Sequence, residues 1–412
     1  MDIFLRVQNE PGLAKIRIVK IYLVGGAIRD RLLGLDPGER DWVVVGATPA
    51  ALEARGFKPL DAEFPVFAHP ESGEEYALAR REKKIGSGHK GFSVEFGPDV
   101  TLEEDLQRRD LRVNAIAESD SHELIDPFGG RVDLNARTLR HVSPAFVEDP
   151  LRVLRAARFA ARLAALEFNI HEATLDLMKM MSARDEMRSL SGSRIWRETE
   201  KALKTNHPSR FFSVLNDCGA LAVVLPELGD AAGAAPTLNK DHGETPGFKA
   251  LEAAAGLDPR AEIRFAALVN ALPGPGAGVD VETILARLCK RLPIRRKYAD
   301  LARVTSRLIR RATFPATAEA GRLLARLEGA DAFRRPGRFQ DALVVCQALE
   351  SITTSAGEDA VPTATLRRAF DAAAGIRAAE VTKSGIWGEA VGVELARRRT
   401  EAIEKILADG AG

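Results

Sequence analysis

Hydrophobic and polar positions along the first part of the chain predict short strands and helices in alternation. The apolar run KIYLV, residues 20–24, predicts a buried strand, and the glycine pair that follows it predicts a turn. AIRDRLLG predicts a short helix that ends at Gly34, because glycine suits the residue after a helix. DWVVVG, residues 41–46, then predicts the next strand.

Helix-start signals and apolar runs continue this pattern. Thr48 followed by Pro49 predicts an N-cap and a first helical residue. Thr101 with Glu104 predicts a capping box, and we expect one helix over residues 101–118. Between these helices, FPVFAHP and EEYALARR predict strands, and KKIGSGHKGF predicts a glycine-rich basic loop.

The pattern changes near residue 145, after which apolar residues recur at helical spacing. Two segments rich in Gly, Ala and Pro, residues 229–247 and 273–279, predict loops. Residues 1–18 predict a poorly structured extension. The fold class that follows is α+β, with a mixed sheet near the N-terminus and helices in the rest of the chain.

Composition narrows the class of protein but does not decide the function. The chain has 412 residues and a net charge of +1, so a nucleic-acid partner must be bound by local basic patches. Cys218, Cys289 and Cys346 lie far apart without metal-site spacing, which fits a reducing cytoplasm. We find no secretory signal and no apolar run of roughly 18 residues, so we expect a cytoplasmic protein.

The candidate chemistry begins with two acids before an apolar strand. Glu39 and Asp41 are spaced by two, which predicts that both carboxylates point to one face and repel unless a cation binds between them. Just upstream, LVGGAIRD offers a glycine pair that a phosphate can approach closely and a cationic Arg29. The alternative is a tight turn with a surface salt bridge.

These segments also resemble a known family. LVGGAIRDRLLG and ERDWVVVGATP resemble motif A of the bacterial class II CCA-adding tRNA nucleotidyltransferases, in the polymerase β superfamily. EEDLQRRDLRVNAIA is similar to motif B, and EDPLRVLRAARFAAR is similar to the base-reading motif. The resemblance runs from about residue 20 to residue 228. It implies the following division: an extension over 1–18, a polymerase-β-type nucleotidyltransferase head over 19–145, a helical neck over 146–228 and a helical body and tail over 229–412.

The resemblance also implies roles for particular residues. Glu39 and Asp41 would be the catalytic pair that binds Mg²⁺, while CTP, ATP and tRNA would be substrates in template-independent CCA addition. Asp149 and Arg152 would read the base, and a spacing of three places both on one helical face. The implied nucleotide-binding residues are Gly26, Arg29, Arg109, Asp149, Arg152, Arg155 and Arg158. Without the resemblance, a solvated basic helix face would explain these arginines.

The sequence departs from the family pattern at two places. The first metal ligand is normally Asp, whereas this chain has Glu39, whose side chain is one methylene longer. Many relatives carry an HD phosphohydrolase site in the second half, but this chain has no histidine after His242, and Asn270 and Ala271 occupy the expected position. Without imidazoles such a metal site cannot form, so we expect no phosphohydrolase activity.

Several interpretations stay open from the sequence. Glu75 is either a third carboxylate near the metal or a partner of a nearby cation, and Asn114 either bonds the sugar or a loop, or lies on a helix surface. The basic segment 286–311 indicates contact with tRNA phosphates or a solvated helix. Trp196 and Trp387 are expected in packed positions. Rival functions are a poly(A) polymerase, a CC- or A-adding enzyme, and a decayed paralogue that only binds RNA.

Overall fold

The computed structural model describes residues 5–6, 18–61, 64–84, 92–231, 245–272, 280–309, 319–352 and 362–409. The chain forms two compact units. The first comprises residues 1–191 and 214–224, and the second comprises residues 192–213 and 225–412. In the described part, no helix is both long enough and apolar enough to cross a membrane.

The secondary structure of the described residues is as follows. The strands are β1 Leu5–Arg6, β2 Ile18–Val24, β3 Asp41–Val45, β4 Lys58–Pro59, β5 Val66–Ala68, β6 Glu75–Leu78, β7 Arg80–Lys84, β8 Phe92–Phe96, β9 Ala117–Glu118, β10 Leu124–Ile125, β11 Thr138–Leu139 and β12 Asn169–Ile170. The α-helices are α1 Gly26–Leu32, α2 Pro49–Glu53, α3 Leu102–Gln107, α4 Gly130–Asn135, α5 Leu151–Arg162, α6 Glu172–Ser182, α7 Asp185–Arg188, α8 Gly192–Leu203, α9 Ser209–Asp217, α10 Leu221–Val224, α11 Pro226–Ala231, α12 Pro246–Leu257, α13 Ala261–Ala271, α14 Val281–Arg291, α15 Arg296–Ile309, α16 Glu319–Gly329, α17 Pro336–Ser351, α18 Thr363–Ala374, α19 Ala378–Lys383 and α20 Ala390–Ala408. Short 3₁₀ turns occur at Arg112–Asn114, Pro144–Glu148 and Ala164–Leu166.

A mixed sheet forms the centre of the first unit, and with the helices that follow it confirms the α+β class. Its strand order is β10-β9-β2-β3-β6-β5-β4, and β1 pairs with β2. Strand β3 runs antiparallel to β2 and parallel to β6. In this register Asp41 is paired with both Val24 and Glu75. The first residue of β3 therefore lies between two neighbouring strands.

Alternate residues of β3 enter two different hydrophobic clusters. Val44 and the partly buried Trp42 pack with residues of β6 that include Tyr76. Val43 and the partly buried Val45 belong to a cluster with Tyr22 and Val24 of β2 and Leu106 of α3. Because side chains alternate across a strand, Asp41 faces the same side as Val43. The sheet thus directs Asp41 toward α3.

The prediction of one helix over residues 101–118 is wrong. The capping box of Thr101 and Glu104 is present, but α3 ends at Gln107. The carboxylate of Asp110 accepts a hydrogen bond from the N–H of Leu111 at 2.8 Å, which competes with helical pairing. The backbone then bonds outward, since Arg112 N–H donates to the carbonyl of Arg140. The chain continues into a 3₁₀ turn and β9 instead.

The other local expectations are mostly confirmed. Thr48 caps α2 with Pro49 as its first residue, and Gly34 follows α1 with φ of 71°. The segment EEYALARR forms two strands rather than one, because the chain leaves the central sheet at Ala79 to form the β7–β8 hairpin. The short strand β12, Asn169–Ile170, is an exception to the expected helical region.

Three loop predictions fall wholly or partly outside the described residues. Most of the glycine-rich segment, residues 85–91, and all of 273–279 lie outside them. Residues 232–244 also lie outside, but the predicted loop was too wide, because α11 extends to Ala231 and α12 begins at Pro246. In the N-terminal extension, β1 shows that Leu5–Arg6 form a strand, contrary to expectation.

The second unit is helical throughout its described parts. Trp196 of α8 is buried and packs edge-on against Phe265 and Tyr298, which confirms its expected packed position. The Tyr298 hydroxyl donates to Glu200 at 2.6 Å. In contrast, Trp387 is 73% exposed, so the expectation that it packs is wrong.

Asn270, at the position expected for an HD histidine, is part of this helical packing. Its side chain is buried in α13. Its Nδ2 donates to the carbonyl oxygens of Ala266 and Ala302 at 2.9 and 3.1 Å. The amide therefore joins α13 to α15 as a neutral group.

The capping box of α3 provides a test of the fold. We expect Thr101→Ala to lower the free energy of unfolding by about 1 kcal/mol, because the N–H of Glu104 loses its side-chain acceptor. Denaturant unfolding followed by circular dichroism measures the change. The control is Thr101→Ser, which keeps the hydroxyl and should stay close to the wild-type stability. Equal destabilisation by both variants would contradict the capping role.

Candidate active site

The two acidic residues lie at the start of β3 and just before it. Asp41 is the first strand residue, whereas Glu39 precedes the strand in a bend. Both side chains are exposed, and neither forms a hydrogen bond or ion pair with another described residue. Although Asp41 is exposed at its surface, neighbouring protein atoms partly desolvate its carboxylate and raise its pKa, Arg109 lowers the pKa, and the like charge of Glu39 raises it. A cation bound beside both carboxylates would remove this repulsion.

Next to the acidic pair, at the end of β2, Gly25 has an unusual backbone geometry. Gly25 has φ of 77° and ψ of −129°, a region that residues with a side chain rarely adopt. Its N–H donates to the carbonyl of Ile116 at 3.2 Å. A Cβ atom at Gly25 would lie 2.9 Å from Nη1 of Arg109. Glycine is therefore required for this turn and for the close approach of Arg109.

Arg109 lies against Gly25 and acts electrostatically on Asp41. Its guanidinium donates to Asp105 at 3.3 Å and to the carbonyl of Asn114 at 3.4 Å. Its buried Nε has no acceptor among the described residues. Asp105 is fully buried, and although burial raises its pKa, Arg108 and Arg109 lower it below the usual value. Asp105 therefore holds the Arg109 guanidinium in place.

Arg29 lies in the interior rather than on the surface of the site. Its side chain is 2% exposed, and its guanidinium donates to Asp30 at 2.9 Å and to Oδ1 of Asn114 at 2.5 Å. Asn114 is also buried, and its Nδ2 donates to Asp110 at 3.0 Å. The helix-surface interpretation of Asn114 is therefore wrong, because its amide joins a buried cation to a buried acid.

Two arginines of α5 bind the buried acids Asp110 and Asp30 that also surround Arg29 and Asn114. Arg155 donates to Asp110 at 2.7 Å, and Arg162 donates to Asp30 at 2.7 Å. Phe159 lies between these two arginines in sequence, and the guanidinium carbon of Arg158 is 4.2 Å from its ring centre. Although burial raises the pKa of Asp110, Arg155 and Asn114 hold it well below its usual value. Helix α5 is thus tied by charged groups to α1 and to the segment that follows α3.

The predicted base-reading pair lies at the N-terminal end of α5. Arg152 is buried and donates to the carbonyl oxygens of Ala145 and Arg108 at 2.6 and 2.7 Å. Asp149 is partly exposed and accepts the N–H of Leu151 at 3.0 Å. Asp149 has extended backbone and precedes α5, which begins at Leu151, so the expectation that both side chains share one helical face is wrong. Their role in reading a base stays a prediction.

Sequence reasoning missed several residues that hold the site together. Asp30 and Arg162 form an ion pair, Asp105 anchors Arg109, and Phe159 lies beneath three guanidiniums. The sequence did contain usable signals. Arg162 lies seven residues after Arg155, so both occupy one face of a helix. Asp105 also had a signal, because Arg109 follows it by four residues, whereas Asp30 had none, because Arg162 is distant in the chain.

The side chains present are compatible with a divalent metal. Glu39 and Asp41 offer carboxylate oxygens on an exposed edge, as Mg²⁺ prefers. In the described ranges, no three His, Cys, Asp or Glu residues gather closely enough to hold a metal ion. Mg²⁺ is usually bound by one or two carboxylates together with water and substrate phosphates, so two carboxylates are sufficient.

Comparison with known proteins identifies the family. A family profile described as the poly A polymerase head domain matches residues 21–140, and one described as a probable RNA and SrmB-binding site of polymerase A matches residues 167–231. A multifunctional CCA protein of Nitrosococcus oceani is 45% identical over 94% of this chain and 99% of its own length. A CCA-adding enzyme of Pseudomonas putida is 44% identical over 93% and 98%. The chain belongs to the CCA-adding enzyme family.

Solved structures confirm the fold of this family member. The Bacillus stearothermophilus CCA-adding enzyme, crystallised with CTP, matches 94% of this chain and 89% of its own, with a TM-score of 0.61 and 24% identity. The Thermotoga maritima CCA-adding enzyme complexed with tRNA matches 95% and 91%, with a TM-score of 0.55 and 20% identity. The resemblance stated for residues 20–228 is therefore confirmed, and the relatives extend it over nearly the whole chain. The nucleotidyltransferase fold itself suggests a divalent metal.

The turn at Gly25 provides a test of the site. We expect Gly25→Ala to weaken CTP binding at least about tenfold and to destabilise the fold by about 1–3 kcal/mol, because of backbone strain and the clash with Arg109. Isothermal titration with CTP measures the first effect, and denaturant unfolding measures the second. The control is Gly34→Ala, where φ is also positive at 71° but no atom lies within 4 Å of the added Cβ. Equal CTP binding by the two variants would contradict the account.

Proposed function

We propose that this chain adds CCA to the 3′ end of tRNA without a nucleic-acid template, using CTP and ATP and releasing pyrophosphate. The observation that carries the proposal is that the acidic pair lies at the start of the central strand β3, where Asp41 is paired with Val24, next to the Gly25 turn that Arg109 approaches closely. An acidic pair beside a fixed guanidinium suits a metal-bound triphosphate. Relatives named for CCA addition that match over nearly their whole length support the same conclusion.

In this proposal the first side of the site binds metal and triphosphate. Glu39 and Asp41 would be the catalytic carboxylates that hold Mg²⁺. When bound, the ion supplies Lewis acidity that favours ionisation of the attacking 3′-hydroxyl and stabilises charge on the transferred phosphorus. Gly26 and Arg109 would bind the triphosphate. Arg29 is also assigned to the nucleotide, and its bonds to Asp30 and Asn114 fix its guanidinium between α1 and the 3₁₀ turn Arg112–Asn114.

The second side of the site would choose the base. Asp149 can accept from an exocyclic amine, and Arg152 can donate to ring nitrogen and carbonyl acceptors. The carbonyls of Ala145 and Arg108 already hold the Arg152 guanidinium in one orientation. Arg155 and Arg158 would extend the nucleotide-binding surface. Specificity for CTP and ATP would then come from side chains, and no template strand would be needed.

The tRNA substrate would also contact the helical second unit. Helices α14 and α15 carry many basic residues, but several are neutralised locally. Arg291, Lys297 and Arg303 form ion pairs with Glu227, Glu262 and Glu282. We assign this surface to tRNA phosphates on the basis of its charge, as a weaker patch than the sequence alone indicates.

The proposal also covers HD phosphohydrolase activity and the cellular location of the protein. We expect no HD phosphohydrolase activity, because the neutral Asn270 occupies the position of a metal-binding histidine and its amide is committed to helix packing. We assign the protein to the cytoplasm, since Cys218, Cys289 and Cys346 are all unpaired thiols.

The test is extension of labelled tRNA that lacks its 3′ CCA, with Mg²⁺ and with CTP and ATP singly and together. We expect three added nucleotides ending in A, with both triphosphates required. Asp41→Asn should reduce the rate at least about 100-fold, because even outer partners of metal ligands are worth 10–100-fold. Sequencing gels with time points measure both results.

The gel also separates the rival functions. A long tail from ATP alone would indicate a poly(A) polymerase, as the name of the matching head profile would allow. Addition of only CC, or only A, would indicate a specialised enzyme. No extension by the wild type, with extension restored by Glu39→Asp, would mean that the chain binds RNA without catalysing transfer.

A further inference from the structure

The segment that carries Glu39 has little backbone support of its own. The ladder pairs of β3 with β2 and β6 end at Asp41. Glu39 and Arg40 therefore extend beyond the last paired residue. Mg²⁺ requires nearly ideal octahedral geometry, so a ligand on an unpaired segment needs another constraint. Glutamate makes this need greater, because its longer side chain has one more rotatable bond than aspartate.

Glu74 provides such a constraint, and it lies on the face of the sheet opposite to the Asp41 side chain. One carboxylate oxygen accepts from Nε of Arg40 at 2.7 Å and lies 2.5 Å from Nη2 of the same residue. The other oxygen accepts from Nε1 of Trp42 at 3.0 Å. Glu74 immediately precedes β6 and so is anchored by the neighbouring strand. A single carboxylate thus binds two alternate residues of the segment that contains the acidic pair.

Aromatic contacts fix the geometry of this arrangement. Trp42 stacks on Tyr76 with ring centres 5.5 Å apart and planes 14° apart. The Arg40 guanidinium lies 5.8 Å from the Trp42 ring centre. Since Arg40 and Trp42 reach the same carboxylate, the alternation of side chains continues one step beyond the strand. Glu39 is then directed to the same face as Asp41, as a shared metal requires.

We propose that Glu74 is a positioning residue for the metal-binding pair, acting on Glu39 through Arg40. The inference rests on the proposed function, because it assigns a role toward the metal of that site. Glu74 touches neither metal nor substrate in this scheme. It restrains the backbone at residue 40 and so sets the direction of the neighbouring side chain. Such outer partners of metal ligands typically contribute 10–100-fold to metal affinity or activity.

The positioning role of the Glu74–Arg40 contact can be tested separately from its contribution to folding stability. The side chain of Arg40 is 53% exposed and that of Glu74 is 22% exposed, and exposed ion pairs contribute little to folding. Glu74→Gln should therefore leave the melting temperature nearly unchanged. We expect it to weaken Mn²⁺ binding in the presence of CTP about tenfold, as measured by electron paramagnetic resonance of free Mn²⁺ with a protein-free CTP reference. The Mg²⁺ concentration at half-maximal CMP transfer should rise by a similar factor.

Two variants complete the design. Glu71→Gln removes an exposed carboxylate from the same turn and should bind Mn²⁺ like the wild type. Arg40→Gln removes the other partner, and the double variant Glu74→Gln/Arg40→Gln should be no weaker than the worse single variant, because both remove one interaction. If Glu74→Gln does not fold, Arg40→Gln tests the same contact from the other side.

The outcomes distinguish this inference from the proposed function. Wild-type protein that neither binds Mn²⁺ with CTP nor extends tRNA would overturn the function itself. Wild-type protein that does both, with Glu74→Gln and Arg40→Gln within twofold of it in Mn²⁺ binding, would overturn the positioning role alone. Additive effects in the double variant would also overturn it, because Glu74 and Arg40 would then act separately.

Discussion

The buried guanidinium of Arg29 is the interaction on which the candidate site depends. A cation that is 2% exposed needs compensating partners, because burial lowers its pKa and the loss of hydration is costly. Asp30 and Asn114 supply the acceptors, and the ring of Phe159 lies 4.9 Å away. These three partners come from the helix after the glycine turn, the turn after α3, and α5. One charge therefore holds together the three segments that surround the proposed nucleotide site.

The sheet supplies the second constraint, because it decides which residues face this network. Strand β3 places Trp42 and Val44 in one cluster and Val43 in the other, which directs Asp41 toward Arg109. The raised pKa of Asp41 follows from this position, since partial burial and Glu39 both disfavour its charge. Glu39 and Arg40 lie beyond Asp41, which is the last residue of β3 that pairs with a neighbouring strand. Metal binding by the proposed pair would thus depend on the strand for Asp41 and on side-chain contacts for Glu39.

Much of this architecture could be predicted from the sequence, because the decisive signals are local. Apolar runs gave β2 and β3, and Thr48 and Thr101 marked two helix starts correctly. The prediction of a helix over residues 101–118 was wrong. Apolar spacing could not show that the Asp110 carboxylate accepts from the N–H of Leu111, or that it also pairs with Arg155. Partners 45 residues apart leave no local pattern in a single sequence. The sequence showed the glycine-pair motif that contains Arg29. It did not show that the Arg29 side chain is buried, because its partners Asn114 and Phe159 are distant in the chain.

The most direct test of the central claim is a crystal structure of the protein with Mg²⁺ and a non-hydrolysable CTP analogue. The account predicts one oxygen from each of Glu39 and Asp41 at about 2.0–2.1 Å from the metal. It also predicts the triphosphate beside Gly26 and Arg109, and the cytosine edge at Asp149 and Arg152. A metal bound by Asp41 without Glu39, or a nucleotide bound away from Arg109, would contradict it.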